Sequence, residues 1–266
     1  MEWTEIETSA DSIDGSVIFH LTKSIIGFVL YMHQQIPSTL QDTNLEFDAL
    51  QAEYKELEVT LTQTELKASS RRKVVGRMRE VNRGIRRLEK VVNTVSRVDA
   101  ALQQIISEIP GIESVVIALG PTPARPQFVY ELCFSHGNRI GNVIADFIKT
   151  RLAEGLSRKV IRMLISKDAG SGNYPGPTKL FLLVKAPASC NLPLHFLPKR
   201  DFRCSKKVVP FRLRVKCRSQ DLKVDDPDCT FASNSLCSTE CSSNDLIWFQ
   251  CRHVVRGLAF KTTAEE

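Results

Sequence analysis

The feature that most constrains the fold of this chain is a change in hydrophobic pattern at Pro110. Before this proline, apolar residues recur at every third or fourth position, which is typical of one face of a helix. After it, apolar residues occur in short runs that end at turn residues, which is typical of strands. One further helical pattern, over 140–166, interrupts the strands. This order predicts an α+β domain in which helices pack on one face of a mostly antiparallel sheet.

Three helical patterns precede Pro110. The first, over 13–32, is apolar nearly all round, which is typical of a helix that its neighbours bury. The second, at about 42–70, has mostly acidic outer positions, and the third carries an apolar stripe from Val74 to Ile106. The second and third could form a coiled hairpin. Such stripes more often pack on a sheet, however, and we expect packing on the sheet here.

The strands and the limits of the domain follow from the remaining pattern. We expect a single domain over 15–260, with an acidic N-terminal tail at 1–14 and a C-terminal tail at 261–266. Residues 219–244, rich in Asp, Ser, Asn and Cys, predict a long mobile loop. The last strand is expected to extend towards Phe260. The predicted strands are 115–119, 128–134, 180–185, 208–217 and 246–251.

No sequence motif marks catalysis or metal binding. The five histidines form no H-x-x-x-H pair, and the sequence contains no G-x-S-x-G elbow. Cys229, Cys237, Cys241 and Cys251 cluster without any C-x-x-C pair, so free reduced thiols are favoured over a zinc site. We therefore expect a protein that is not an enzyme and has no catalytic residue, metal or cofactor. A hydrolase whose site is assembled only in space is the alternative.

Charge raises the question of nucleic acid. The formal net charge is +6, and residues 71–90 hold nine Lys or Arg. This basic face could bind phosphates, which makes a nucleic-acid-binding protein the alternative function. A solvated face paired with the acidic helix is favoured, because the run contains no aromatic residue for base stacking. No membrane partner is expected, since the longest apolar run, 25–32, is shorter than the roughly 20 residues that span a bilayer.

Four stretches in order carry a family resemblance. They are LYMHQQIP at 30–37, VVIAL at 115–119 with YEL at 130–132, FLPK at 196–199, and IWFQ at 247–250. Together they resemble the comet family, the HORMA-domain proteins that bind and inactivate the mitotic-arrest-deficient checkpoint protein. The resemblance implies a HORMA-like domain of three main helices on a sheet, with an inserted helical segment at about 42–70. It also implies a C-terminal segment that wraps the core as a strand, anchored by Ile247, Trp248 and Phe249.

The resemblance also implies a function. Such a protein is an adaptor that binds the closed form of the HORMA checkpoint protein and presents it to a hexameric AAA+ ATPase, which silences the spindle checkpoint. Its own tail fills the slot that relatives use for a peptide ligand. Its localisation would be the nucleus and cytoplasm, with kinetochores or spindle in mitosis, and a meiotic role is equally compatible.

Six positions match the family's contact residues. Met32, Lys159, Ile161 and Arg162 are expected to contact the HORMA partner, and Pro198 and Lys199 the ATPase. For Ile161, a core position is the alternative.

Overall fold

The computed structural model describes residues 3–8, 13–63, 67–109, 112–135, 146–170, 176–204, 207–217 and 246–258. Within them the chain forms eight strands and four helices. In chain order these are β1 (Thr4–Thr8), α1 (Gly15–Met32), α2 (Leu40–Gln63), α3 (Ala68–Glu108), β2 (Ser114–Gly120), β3 (Phe128–Ser135), α4 (Asp146–Ser166), β4 (Lys179–Pro187), β5 (Phe196–Lys199), β6 (Phe211–Cys217), β7 (Leu246–Cys251) and β8 (Val255–Arg256).

All eight strands belong to one sheet. Seven of them follow the order β1-β6-β3-β2-β4-β7-β5, and β8 pairs with β4 where β7 leaves it. β6 pairs in parallel with β1 and β3, whereas all the other pairs are antiparallel. The predicted α+β class with a mostly antiparallel sheet is therefore confirmed.

The sheet is covered on both faces. Along β2, Val115 and Ile117 point towards the helices, while Val116 and Ala118 point to the opposite face, as strand alternation requires. The opposite face is covered by the connection from β5 to β6, which crosses the sheet and contributes Phe202, Cys204 and Val208. Because β2 is buried on both faces, its sequence is a continuous apolar run.

α1 lies in the core, as its sequence predicts. Asp14 caps its N-terminus, with a carboxylate that accepts a hydrogen bond from the N–H of Val17 at 3.0 Å. Lys23 pairs with Asp99 of α3 at 2.8 Å. Of the helices in the described part of the chain, α1 alone is long and apolar enough to cross a membrane. Nine of its side chains are buried, however, so packing in the core accounts for its composition.

The expectation that both later helices pack on the sheet is wrong for α2 and for the first half of α3. These segments pack on each other as a helical hairpin, with Gly84 against Leu50 and Arg77 bound to Glu53. α3 joins the main core only from Val91 onward. The reason is length, because a helix of 41 residues extends for about 60 Å, whereas strands of seven to nine residues extend for about 23–30 Å.

The expectation of an acidic N-terminal tail is also wrong. Residues Thr4–Thr8 form an edge strand parallel to β6, with Ile6 fully buried. Glu5 forms an ion pair with Lys216, with Nζ and Oε1 2.6 Å apart, and this hydrogen-bonded contact lowers the pKa of the Glu5 carboxyl below its usual range. The acidic residues that resembled a solvated tail therefore complement the basic β6. The pairing partners are more than 200 residues apart in the sequence, so no local pattern predicts this pairing.

Several other boundaries differ from expectation. The sixth strand begins at Phe211 and not at 208, and β5 was not predicted as a strand. β7 has the predicted limits, and its expected extension appears as the short β8. The predicted loop at 219–244, the tail at 261–266 and the start of the helix at 140–145 lie outside the described residues.

Gln35 joins three segments just beyond α1. Its side chain is fully buried, and its Nε2 donates to the carbonyls of His33 at 2.7 Å and Gly176 at 3.2 Å. Its Oε1 accepts the N–H of Thr178 at 2.8 Å. Its backbone carbonyl accepts the N–H of Leu258, also at 2.8 Å. One residue thereby links the end of α1, the start of β4 and the C-terminal segment.

Two glycines provide a matched test of this junction. A Cβ at Gly257 would lie 1.9 Å from Oε1 of Gln35, whereas a Cβ at Gly155, on the exposed side of α4, would meet nothing within 4 Å. We predict that Gly257→Ala lowers the free energy of unfolding by about 1–3 kcal/mol, because Gln35 must give up hydrogen bonds. Gly155→Ala should leave it unchanged or raise it by up to about 1 kcal/mol. Urea denaturation measures both, and equal effects would contradict the packing at Gln35.

Candidate functional site

α4 presents a mainly basic side to solvent. Its inner positions, Ala153, Leu156, Val160 and Leu164, are buried in the main core, and the helix packs beside α1. The outward positions are exposed, and one pair among them, Arg158 and Glu154, is joined at 3.6 Å. We call this outward side the α4 surface, and it consists of Arg151, Glu154, Arg158, Arg162 and Ile165.

The four predicted HORMA-partner residues lie on α1 and α4 but differ in exposure. Arg162 is exposed on the α4 surface. Ile161 is half-buried and packs against the main core, which agrees with the alternative of a core position. Lys159 is exposed, and its ammonium donates to the carbonyl of Glu7 at 3.0 Å, so it ties α4 to β1. Met32 is half-buried at the end of α1.

Two exposed apolar residues that sequence reasoning missed lie on the same two helices as the predicted partner contacts. Tyr31 precedes Met32 on α1 and is 46% exposed, and Ile165 of α4 is 52% exposed. The two helices end close together, because a Cβ at Gly170 would lie 2.7 Å from Cβ of Met32. In the sequence, each of these two residues could have been found as an apolar residue at an outward position of a helix. This end of the helix pair therefore adds apolar area to the basic α4 surface.

His33 fixes the position of the α1 end. It is 3% exposed, and its Nε2 lies 2.7 Å from the hydroxyl of Tyr130 in a hydrogen bond. Its ring centroid is 4.0 Å from that of Phe128, and Tyr130 stacks on Phe211 at 5.1 Å. Burial lowers the pKa of His33 to about 4 and raises the pKa of Tyr130 above its usual value. Both groups are thus neutral at pH 7, and the hydrogen bond between them carries no charge.

The predicted ATPase-binding residues lie at the opposite edge of the sheet from β1. Pro198 and Lys199 are exposed on β5, where they pair with Phe249 and Trp248 of β7. Proline suits an edge strand, because it has no N–H to offer a further strand. β1 and β5 are six strand spacings apart, about 30 Å, and α4 is bonded to β1 through Lys159.

The three predicted C-terminal anchors divide between the two faces of the sheet. Phe249 is 3% exposed in the main core, and Ile247 packs on the same side. Trp248 points to the other face and is half-buried, with its ring edge-to-face with Phe202 at 5.7 Å. β7 thereby fastens the C-terminal segment to both layers of the domain.

The residues weighed for metal binding do not form a site in the described part of the chain. The described residues contain no group of three His, Cys, Asp or Glu arranged to hold a metal ion. Cys229, Cys237 and Cys241 lie outside the described residues. Cys251 is fully buried, and burial raises the pKa of its thiol to about 11. His195 and His253 lie with Nδ1 and Nε2 3.0 Å apart.

The basic run 71–90 lies on the first half of α3. The expected pairing with the acidic helix occurs at Arg77, whose Nε and Nη2 donate to the Glu53 carboxylate at 2.6 and 3.1 Å. The contact raises the pKa of Arg77 and lowers that of Glu53. Most other basic side chains of the run are directed to solvent.

Comparison of the chain with protein-family models and with curated proteins gives no match. Its function must therefore be inferred from geometry. The two predicted contact regions are the α4 surface with the α1 end, and the exposed edge of β5. α4 is bonded to the edge strand β1 through Lys159, and β5 forms the other edge of the strand order.

The burial of His33 predicts a pH dependence of stability. An unfolded histidine titrates near pH 6.5, whereas folded His33 has a pKa of about 4, so between these values the unfolded state binds more protons. Stability due to His33 is present above pH 6.5 and is lost as the pH falls towards 4. We predict that lowering the pH from 7 to 4.5 costs roughly 2–3 kcal/mol through His33.

Urea denaturation of the wild type and of His33→Gln at both pH values measures this contribution. The variant should lose less stability on acidification than the wild type. Tyr130→Phe keeps the titrating ring and serves as the control, since it should retain the wild-type pH dependence. Equal losses in the wild type and His33→Gln would contradict the assignment.

Proposed function

We propose that this chain is a non-enzymatic adaptor with a HORMA-like domain. It binds the closed form of a mitotic-arrest-deficient HORMA protein and presents it to a hexameric AAA+ ATPase for remodelling, which silences the spindle checkpoint. The observation that supports this most is the position of the chain's own C-terminal segment. β7 and β8 lie along β4, and Gln35 ties the residues that follow to the end of α1.

A C-terminal segment in this position limits where a client can bind. Three side chains of this segment are at most 3% exposed: Phe249, Cys251 and Val255. Burial of a side chain such as Phe249 contributes about 2–3 kcal/mol to the free energy of unfolding. The edge of β4 is therefore occupied by the chain's own β7, which a peptide from another protein would have to displace. A folded client would dock on a free outer surface instead.

The α4 surface and the α1 end suit such a client. They combine exposed arginines, Arg158 and Arg162, with the exposed apolar side chains Tyr31 and Ile165. Tyr and Arg are among the residues that most often dominate binding energy at protein interfaces. A partner with acidic groups around an apolar centre would complement this surface. The same partner would contact Met32, Lys159 and Ile161, which lie on the same two helices.

The separation of the two contact regions accounts for an adaptor role. A client on the α4 surface and an ATPase at Pro198 and Lys199 would bind at opposite edges of the sheet, so both can bind at once. ATP hydrolysis then belongs to the ATPase. The same activity on a meiotic HORMA client, in the nucleus or cytoplasm or at kinetochores or the spindle, is part of the proposal.

Reciprocal charge reversals test the two surfaces. We predict that Arg162→Glu weakens binding of the closed checkpoint protein at least about tenfold, that is, by about 1.4 kcal/mol or more, because a client-facing cation becomes an anion. Lys199→Glu should leave this binding unchanged but abolish ATPase-driven opening of the bound client. Size-exclusion co-elution and titration measure binding, and a conformer assay with the ATPase measures opening.

Both substituted residues are exposed, so each variant serves as the other's folding control. Ile161→Glu is a poorer test, because that side chain packs against the core. Wild-type chain that binds neither conformer of the checkpoint protein would overturn the proposal. Equal binding by Arg162→Glu would keep the function but move the interface away from α4.

A further inference from the structure

The outer part of the α2–α3 hairpin contains an unfilled apolar groove. No described side chain of α2 beyond Phe47, and none of α3 before Val81, is buried. Between the helices lies a groove of about 540 Å³, continued by a second depression of about 330 Å³ that shares two of its lining residues. We call this the hairpin groove, and its floor consists of Tyr54, Leu61, Val75, Met78, Asn82 and Ile85.

One rim of the hairpin groove is strongly basic. Arg79, Arg83 and Arg86 line it from α3, spaced about one helical turn apart. All three are exposed, whereas the nearby Arg77 is already bound to Glu53 and Glu80. Over its whole length α3 holds ten Lys or Arg against four Asp or Glu, a net charge of +6. The groove therefore combines an apolar floor with a row of exposed cations.

We propose that the hairpin groove docks an acidic amphipathic helix of a partner protein. The α3 part of the floor runs from Val75 to Ile85, about 15 Å or three helical turns, which matches apolar anchors at i, i+3 or i+4, and i+7. Carboxylates flanking those anchors would pair with the three rim arginines. The docked helix would convert the two-helix hairpin into a three-helix bundle and cover its half-buried apolar side chains.

The lining of the groove favours an acidic amphipathic helix over nucleic acid. Leu61, Val75, Met78 and Ile85 offer apolar contacts, which the phosphate backbone of a nucleic acid cannot use. Among the described residues that line the groove, Tyr54 is the single aromatic one, which offers little for base stacking. An amphipathic helix uses both features of the groove, because its apolar stripe covers these side chains and its carboxylates pair with the rim arginines.

Fluorescence anisotropy with the full chain tests the proposal. The probe is a labelled helical peptide of about 18 residues with Leu at heptad a and d positions and Glu beside them. The control peptide has the same composition in scrambled order. The amphipathic peptide should bind, and the scrambled one should bind at least about tenfold more weakly, because it lacks an apolar stripe.

Variants locate the binding. Met78→Asp and Arg83→Glu should each weaken the amphipathic peptide about tenfold, whereas Arg71→Glu, the same charge change on α3 outside the groove, should not. A triple Arg79→Glu, Arg83→Glu, Arg86→Glu chain should lose the acidic peptide but bind a version with Lys in place of Glu. That rescue excludes misfolding as the cause of the loss, and unchanged circular dichroism provides a second check.

Three outcomes would overturn the proposal. One is equal binding of the amphipathic and scrambled peptides, and another is an Arg83→Glu chain that binds as wild type does. The third concerns a labelled DNA duplex of about 20 base pairs. If it binds more tightly than the peptide, and its binding requires the same arginines and weakens steeply with salt, the groove belongs to nucleic acid.

Discussion

Three segments that are distant in sequence meet at one buried side chain, Gln35. Both ends of its amide are used, with Nε2 on the carbonyls of His33 and Gly176 and Oε1 on the N–H of Thr178. A buried amide without partners costs about 1–3 kcal/mol, so Gln35 is stable there only when the end of α1 and the loop before β4 are both in place. The backbone of the same residue holds Leu258. The position of the C-terminal segment therefore depends on the end of α1, which also bears Met32 and Tyr31.

This arrangement explains how one domain can present two separate surfaces. β7 occupies the sheet between β4 and β5, so β5 becomes the outer edge and exposes Pro198 and Lys199. At the other edge, Lys159 and Lys167 of the α4 region hold β1 by bonding to Glu7 and Thr4. These two hydrogen bonds hold the α4 region against β1, and the arginines on the outward side of α4 remain exposed.

Much of the fold was predictable because it is encoded locally. The apolar run of β2, the all-round apolar α1 and the limits of β7 are visible in the pattern, since each depends on burial within a single segment. β1 and β5 were missed because each is a short edge strand, defined by a distant pairing partner. The site was predictable only in part. Arg162 is exposed as an interface requires, but the internal bonds of Lys159 and the packing of Ile161 depend on neighbours that sequence spacing does not reveal.

Hydrogen exchange of the β7 amides tests most directly whether the C-terminal segment is an integral part of the sheet. β7 lies between two strands, so its N–H groups are bonded on both sides. We predict that the β7 amides exchange as slowly as those of β4, within about tenfold, because both open only when the core opens. Rapid exchange of β7 beside slow exchange of β2 and β4 would show that the segment leaves the sheet independently, and it would contradict the closed arrangement on which the proposed function rests.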